Sequence, residues 1–257
     1  MPPGPVAVRA ALGCSAAMGL FRMLFGALVA SQIGYSLLPE SRRPAATRAI
    51  VVLMLATALV EAAAARGRRG AGLVIAAGGL GFATELVGVA TGRPFGHYRY
   101  GRGLGPRVGG VPLLAAAAWA MMARPAWIVA GTLVGRPALR VPLAATALTA
   151  WDVFLDPRMV REGYWAWPGG GRYEGIPGSN FLGWLGTGAG VFAVWAALDR
   201  ERPERRDDGA LLLYTWTLAG ETFANAVIWR RPRVAAAGCA AMAAVCVPAL
   251  ARRLRRS

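Results

Sequence analysis

Four carboxylic acids stand inside apolar stretches of this chain: Glu85, Asp152, Asp156 and Glu221. A carboxyl in such surroundings is costly, and burial disfavours its charged form. It can therefore keep a proton available for transfer near neutral pH, which is what a general acid needs. Asp152 and Asp156 are four residues apart and share one helix face. Two chemistries use that spacing. A D-x-x-x-D pair can hold magnesium for a diphosphate substrate, or one carboxyl can serve as acid or base. The first needs a second acidic cluster on the same membrane side, and the obvious one, Asp207-Asp208, falls on the other side. Simpler roles are a helix end at Asp156-Pro157 and an ion pair with Arg158. Glu221 and Asn225 repeat the i, i+4 spacing. Glu85 shares a face with Gly81, Gly88 and Gly92; small residues let helices approach closely, so this face is expected to point into a bundle. Glu61 lies toward the opposite side near Arg66 and reads as an interfacial salt bridge. The chain has no Ser–His–Asp set, no H-E-x-x-H, no Cys/His cluster and no phosphate loop. No metal is expected.

Two loops have an unusual composition. Residues 92–112 read GRPFGHYRYGRGLGPRVGGVP, and residues 156–184 read DPRMVREGYWAWPGGGRYEGIPGSNFLGW. Tyr98 and Tyr100 in the first, and Tyr164, Trp165, Trp167 and Tyr173 in the second, could form an ordinary interfacial belt. Their crowding between Gly and Pro turns suggests a pocket that binds substrate instead. Trp184 follows Asn180 by one helical turn, and indole faces can stabilise a cation. Asn180 and Glu174 are polar candidates for substrate contact. His97, the only histidine, is a further candidate contact; its plainer reading is a hydrogen-bonding or surface group.

The elements that must hold these groups are helices. The chain has 257 residues, 56% of them hydrophobic, and a mean hydropathy of +0.43. Apolar runs near 20 residues recur, long enough to cross a bilayer. The expected fold is all-α: a single integral-membrane domain over residues 1–257, a polytopic bundle of about eight spans, or seven if Pro248 breaks the last. The spans are placed at 17–38, 46–65, 71–91, 111–134, 138–155, 181–198, 209–229 and 233–251. The stretch after Arg9 is too long for a signal peptide and reads as the first span. Arg124-Pro125 falls inside the fourth, which must either kink there or form a re-entrant pair, and Arg124 needs a partner. With eight spans, both aromatic loops and the carboxylate ends of their helices fall on one side.

The formal net charge is +16, with no lysine. The arginines sit in short loops and at 252–256, spread over both sides, so they suggest anionic lipid headgroups and give no orientation. Nucleic acid is not an expected partner. Cys14, Cys239 and Cys246 lie in apolar runs and read as inert thiols.

Taken in order, the blocks resemble a known family: the membrane carotenoid biosynthesis proteins, among them carotenoid 1',2'-hydratases and bisanhydrobacterioruberin hydratases. The blocks are the Glu85 helix running to Gly92, Pro94-Phe95-Gly96 and Tyr98-x-Tyr100, then Gly110-Val111-Pro112-Leu113 and Trp119. After these come Asp152, Asp156-Pro157, Gly163-Tyr164-Trp165-x-Trp167, Tyr173-x-Gly175-Ile176-Pro177 and Asn180-Phe181-x-Gly183-Trp184. They span about residues 80–190. Arg124 departs from the neutral residue expected there. The resemblance implies a cofactor-independent hydro-lyase that protonates a terminal C=C of an acyclic carotenoid and captures water on the tertiary cation. It implies a multi-pass protein of the cell membrane, with membrane lipid, a hydrophobic carotenoid substrate and other enzymes of that pathway as partners. It does not tell which of Glu85, Asp152, Asp156 and Glu221 is the acid; Asp152 and Glu85 lead on position. Two readings compete: a membrane prenyltransferase, resting on D-x-x-x-D alone, and a non-enzymatic carotenoid-binding or transport protein, which would more often show inverted repeats.

Overall fold

The computed structural model describes residues 5–199 and 202–255, with helix alone described for residues 5–15; the side chain of Cys14 and residue Arg256 lie outside the described part. It contains seven α-helices: α1 (Pro5–Tyr35), α2 (Arg43–Thr91), α3 (Leu113–Leu133), α4 (Pro137–Arg161), α5 (Gly178–Leu198), α6 (Asp208–Phe223) and α7 (Pro232–Leu254). A π-helical turn, Ala224–Ile228, extends α6. Among the described residues, six helical stretches are long and apolar enough to cross a membrane; α6, at 16 residues, is too short to be among them. Helices suit this composition because a backbone in lipid must satisfy its own hydrogen bonds. Proline opens α2, α4 and α7 within the first turn, where a missing N–H costs nothing, and Gly92 ends α2 in the left-handed region.

Two of the expected spans, 46–65 and 71–91, form the single element α2, but it is not one rod. Gly67 has φ 63 and ψ −155, outside helical space. Glu61 and Glu85 would be about 36 Å apart in an unbroken helix. Instead both bond to α3, at positions five residues apart: Glu61 to Arg124 and Glu85 to Trp119. A β-carbon on Gly70 would strike the carbonyl of Ala62, as expected for a chain that turns back on itself.

The core is built around α3, the most buried span, whereas little of Ala16–Tyr35 in α1 is enclosed. It runs unbroken through Pro125, and α7 runs unbroken through Pro248. Neither the re-entrant pair nor the interrupted last span forms. The glycine face of α2 packs as expected: a β-carbon at Gly78 would crowd Ala116 and Ala120, and one at Gly81 would collide with the Trp119 ring. Cys246 is buried, and Cys239 is partly buried; both are free thiols.

Arg124 finds its partners inside the bundle. Its guanidinium bonds Glu61 at 2.5 and 3.2 Å and Asp207 at 2.8 Å. The expectation of a Glu61–Arg66 surface pair is corrected. Glu61 is fully buried, and Arg66 bonds Asp207 instead, at 3.0 and 2.6 Å. Five residues along a helix are about 140° apart around its axis, so Glu61 and Arg66 turn to different partners.

Candidate active site

The two aromatic loops are joined by backbone pairing. Short strands β1 (Arg99–Tyr100) and β4 (Trp165–Ala166) run antiparallel, with Tyr100 opposite Trp165. The Gly101 N–H donates to the Tyr164 carbonyl at 2.7 Å, and the Trp167 indole donates to the Phe95 carbonyl at 2.9 Å. Tyr98 and Trp165 therefore lie on one face of the molecule, as the alternation of helices predicts. A second small ribbon, β2 (Arg107–Val108) with β3 (Val111–Pro112), leads the first loop into α3.

Beneath the joined loops lies a small cavity. Glu85, Asp156, Asn180, Tyr98, Tyr100, Trp165, Trp167 and Trp184 all line it. On one side Glu85, only 6% exposed, accepts three donors. The Tyr98 and Tyr100 hydroxyls both donate to its Oε2, the latter at 2.8 Å, and the Trp119 indole donates to its Oε1 at 3.1 Å. Burial, then the Glu85 charge, pushes both phenols well above their ordinary range, so they stay protonated and act as donors. Three donors converge on this carboxyl and hold it in place as an acceptor.

The second acidic group is different. Asp152 and Asp156 are 0% and 1% exposed and share one amide: Asn180 Nδ2 donates to Asp152 Oδ2 at 2.9 Å and to Asp156 Oδ2 at 2.5 Å. The Trp165 indole donates to Asp156 Oδ1 at 3.0 Å. Among the described residues no donor reaches Asp152 Oδ1, and Asp152 sits behind the lining while Asp156 faces the cavity. Among the described residues, none of these three carboxyls has a cationic partner. The i, i+4 spacing on α4 thus does bring the pair together, and the start of α5 supplies the amide that clasps it.

The walls are aromatic. Trp184 stacks on Trp119 with centroids 3.9 Å apart, and Trp151 meets Trp184 edge-on at 6.1 Å. Tyr98 lies 5.8 Å from Trp167, and Tyr100 lies 5.8 Å from Trp165. Trp119 was not among the candidate site residues, although it orients Glu85 and backs Trp184. A tryptophan in an apolar run carries no local sign of either role. Thr47, at the start of α2, lines the cavity too and has no sequence signal.

Four expected site residues are elsewhere. His97 is exposed and lies over Gly92, where a β-carbon would meet its ring. Tyr164 is buried beside the cavity, not in its wall; its hydroxyl donates to Thr47 Oγ1 at 3.0 Å. Glu174 is exposed, with φ 51, and accepts from Arg231 at 2.9 Å. Glu221 lines a neighbouring hollow, 3.6 Å from Arg158, and Asn225 donates to its backbone carbonyl at 2.9 Å. Tyr173 donates to the Val153 carbonyl at 2.9 Å, and burial followed by the nearby Glu174 charge raises its phenol to about 12.

A family model described as carotenoid biosynthesis protein matches residues 46–247. The chain belongs to this family. The carotenoid biosynthesis match takes in every residue that lines the cavity. Over 127 residues the chain is 35% identical to the bisanhydrobacterioruberin hydratase of Haloarcula japonica. That similarity covers 47% of this chain and 43% of the relative, so the chain matches less than half of that protein's length. No solved structure matches the chain.

Proposed function

We propose that this protein is a cofactor-independent hydro-lyase acting on acyclic carotenoid ends. It adds water to a terminal trisubstituted C=C through a tertiary carbocation. One observation carries the reading: a buried acid pair without a cation faces a donor-held carboxylate in an aromatic cavity. The similarity to a protein named a carotenoid hydratase supports it.

Two carboxyls that share one amide and meet no cation hold a proton between them more readily than two negative charges. Asp156 delivers that proton to the alkene carbon, with Asp152 and Asn180 as positioning residues. Positive charge then develops on the substituted carbon. The indoles of Trp119, Trp165 and Trp184 face it with electron-rich rings, and the Glu85 carboxylate balances it. A water attacks the cation and returns a proton to the Asp152–Asp156 pair. One proton leaves the pair and one comes back, so a single water is added and the protein is unchanged. Tyr98 and Tyr100 keep Glu85 from swinging into contact with the cation and collapsing onto it.

In this reading the chain crosses the cell membrane eight times, through α1, both arms of α2, α3, α4, α5, α6 with its π turn, and α7. The fold-back at Gly67 supports the extra crossing. Membrane lipid and other enzymes of the pathway are its partners.

Expression in a host that makes lycopene tests the activity. The expected result is pigment heavier by one or two waters, formed by membranes at the same rate in EDTA. Unchanged pigment would sink the reading, and a rate lost in EDTA and restored by magnesium would favour a diphosphate-using enzyme. Glu85→Gln keeps the size of the side chain and removes the charge opposite the cation. It is expected to slow hydration about 100- to 1,000-fold, in membranes holding normal amounts of protein. A near wild-type rate in that variant would remove Glu85 from the mechanism.

A further inference from the structure

The hollow does not end at the acid pair. The site cavity shares Thr47, Val51 and Leu155 with a second space, which shares Ile50, Thr217 and Glu221 with a third. The third, the roomiest of the three, lies between α1 and α6. It reaches the outer surface at Ile33, 60% exposed, and Phe223, 58% exposed. Those side chains face where lipid would be. Helix α1 packs chiefly on α2. Across the opening, α1 and α6 are joined by side chains: the Trp216 indole donates to Gln32 Oε1 at 2.6 Å, and Phe25 meets Trp216 edge-on at 6.4 Å. Toward the loops, the space is roofed by Tyr35, whose hydroxyl donates to Glu162 at 2.7 Å and whose ring lies under Arg158.

We infer that this passage is the binding channel for the body of the polyene, entered sideways from the bilayer between α1 and α6. The inference rests on the proposed activity for the identity of its occupant. A terminal alkene at Asp156 leaves a long apolar chain to be housed. The passage shares its walls with the site, is mostly apolar, and opens on the outer surface, where such a chain is dissolved. The polar roof keeps the chain below the loop surface, and the bend between the chambers admits the end first. Gln32 and Trp216 form the rim.

Gly220 gives a way to block it. A β-carbon there would meet only Trp216, at 3.8 Å, so a larger side chain projects into the outer chamber without a backbone clash. Gly220→Phe and Gly220→Leu also favour helix. Gly186→Phe, on an exposed face of α5 with open space around it, is the control. Two readouts are taken on whichever Gly220 variant accumulates normally: polyene retained per protein after purification, by visible absorbance, and hydration of a long acyclic carotenoid against a short acyclic terpene with the same end. The expected result is a loss of about tenfold or more for the long substrate, in retention and rate, with the short one unaffected. Full retention and hydration of the long polyene would overturn the channel, as would equal loss of both substrates. If wild type retains polyene and the blocked variant does not, yet neither hydrates anything, the channel stands and the proposed activity falls.

Discussion

Asp156→Asn is expected to slow hydration about 100- to 10,000-fold, the usual loss when a general acid is removed. The variant should still insert, accumulate and retain polyene. Asparagine keeps the side-chain size and can still accept from the Trp165 indole, whose bond to Asp156 is 3.0 Å. What it removes is the proton that faces the cavity. Asp152→Asn should cost less, because Asp152 touches Asn180 and not the cavity wall. Asp156→Glu should recover part of the rate, since a longer acid can still reach the alkene; a merely structural defect would not be rescued in that way. Hydration by Asp156→Asn at near the wild-type rate, in membranes with equal protein, would assign the acid to another group.

Arg124→Leu is expected to destabilise the folded protein by about 3–5 kcal/mol, read as a lower midpoint of unfolding in detergent. Glu61 is fully buried, and without Arg124 its charge loses its partner. Asp207 keeps Arg66 at 2.6 Å. Burial pushes the Asp207 carboxyl up, but the Arg66 bond, the Glu204 N–H and the Arg124 charge together hold it below the usual carboxylate range. Removing both members of the buried pair, with Arg124→Leu and Glu61→Leu, should restore much of the loss. Such pairs contribute little net stability over apolar replacements, whereas a lone buried charge is costly. If Arg124→Leu alone unfolds at the wild-type midpoint, the network is not what ties α2, α3 and the start of α6 together. None of Arg124, Glu61 and Asp207 lines the cavity, so activity per folded molecule should not change.

The sequence by itself determined the class of fold, the positions of the helices and the residues from which a site could be built. Runs near 20 apolar residues have one stable form in lipid, because an unpaired backbone group there is costly. The i, i+4 spacing put Asp152 and Asp156 on one face, since 3.6 residues make a turn. The glycines around Glu85 marked the face that meets α3, and the alternation of spans put both aromatic loops on one side. Tertiary structure alone decided which faces meet. Trp119 became a partner of Glu85 because Gly81 leaves room for its ring. Asn180 became the clasp of the acid pair because α5 begins beside the end of α4. Glu221 shares the spacing of Asp152 and Asp156 yet faces Arg158 in the next chamber, and His97 and Glu174 point outward from the loops that supplied the walls. Spacing fixes a side chain's direction only within its own helix. The rotation of one helix against another is set by packing between residues far apart in sequence, and no local pattern records it.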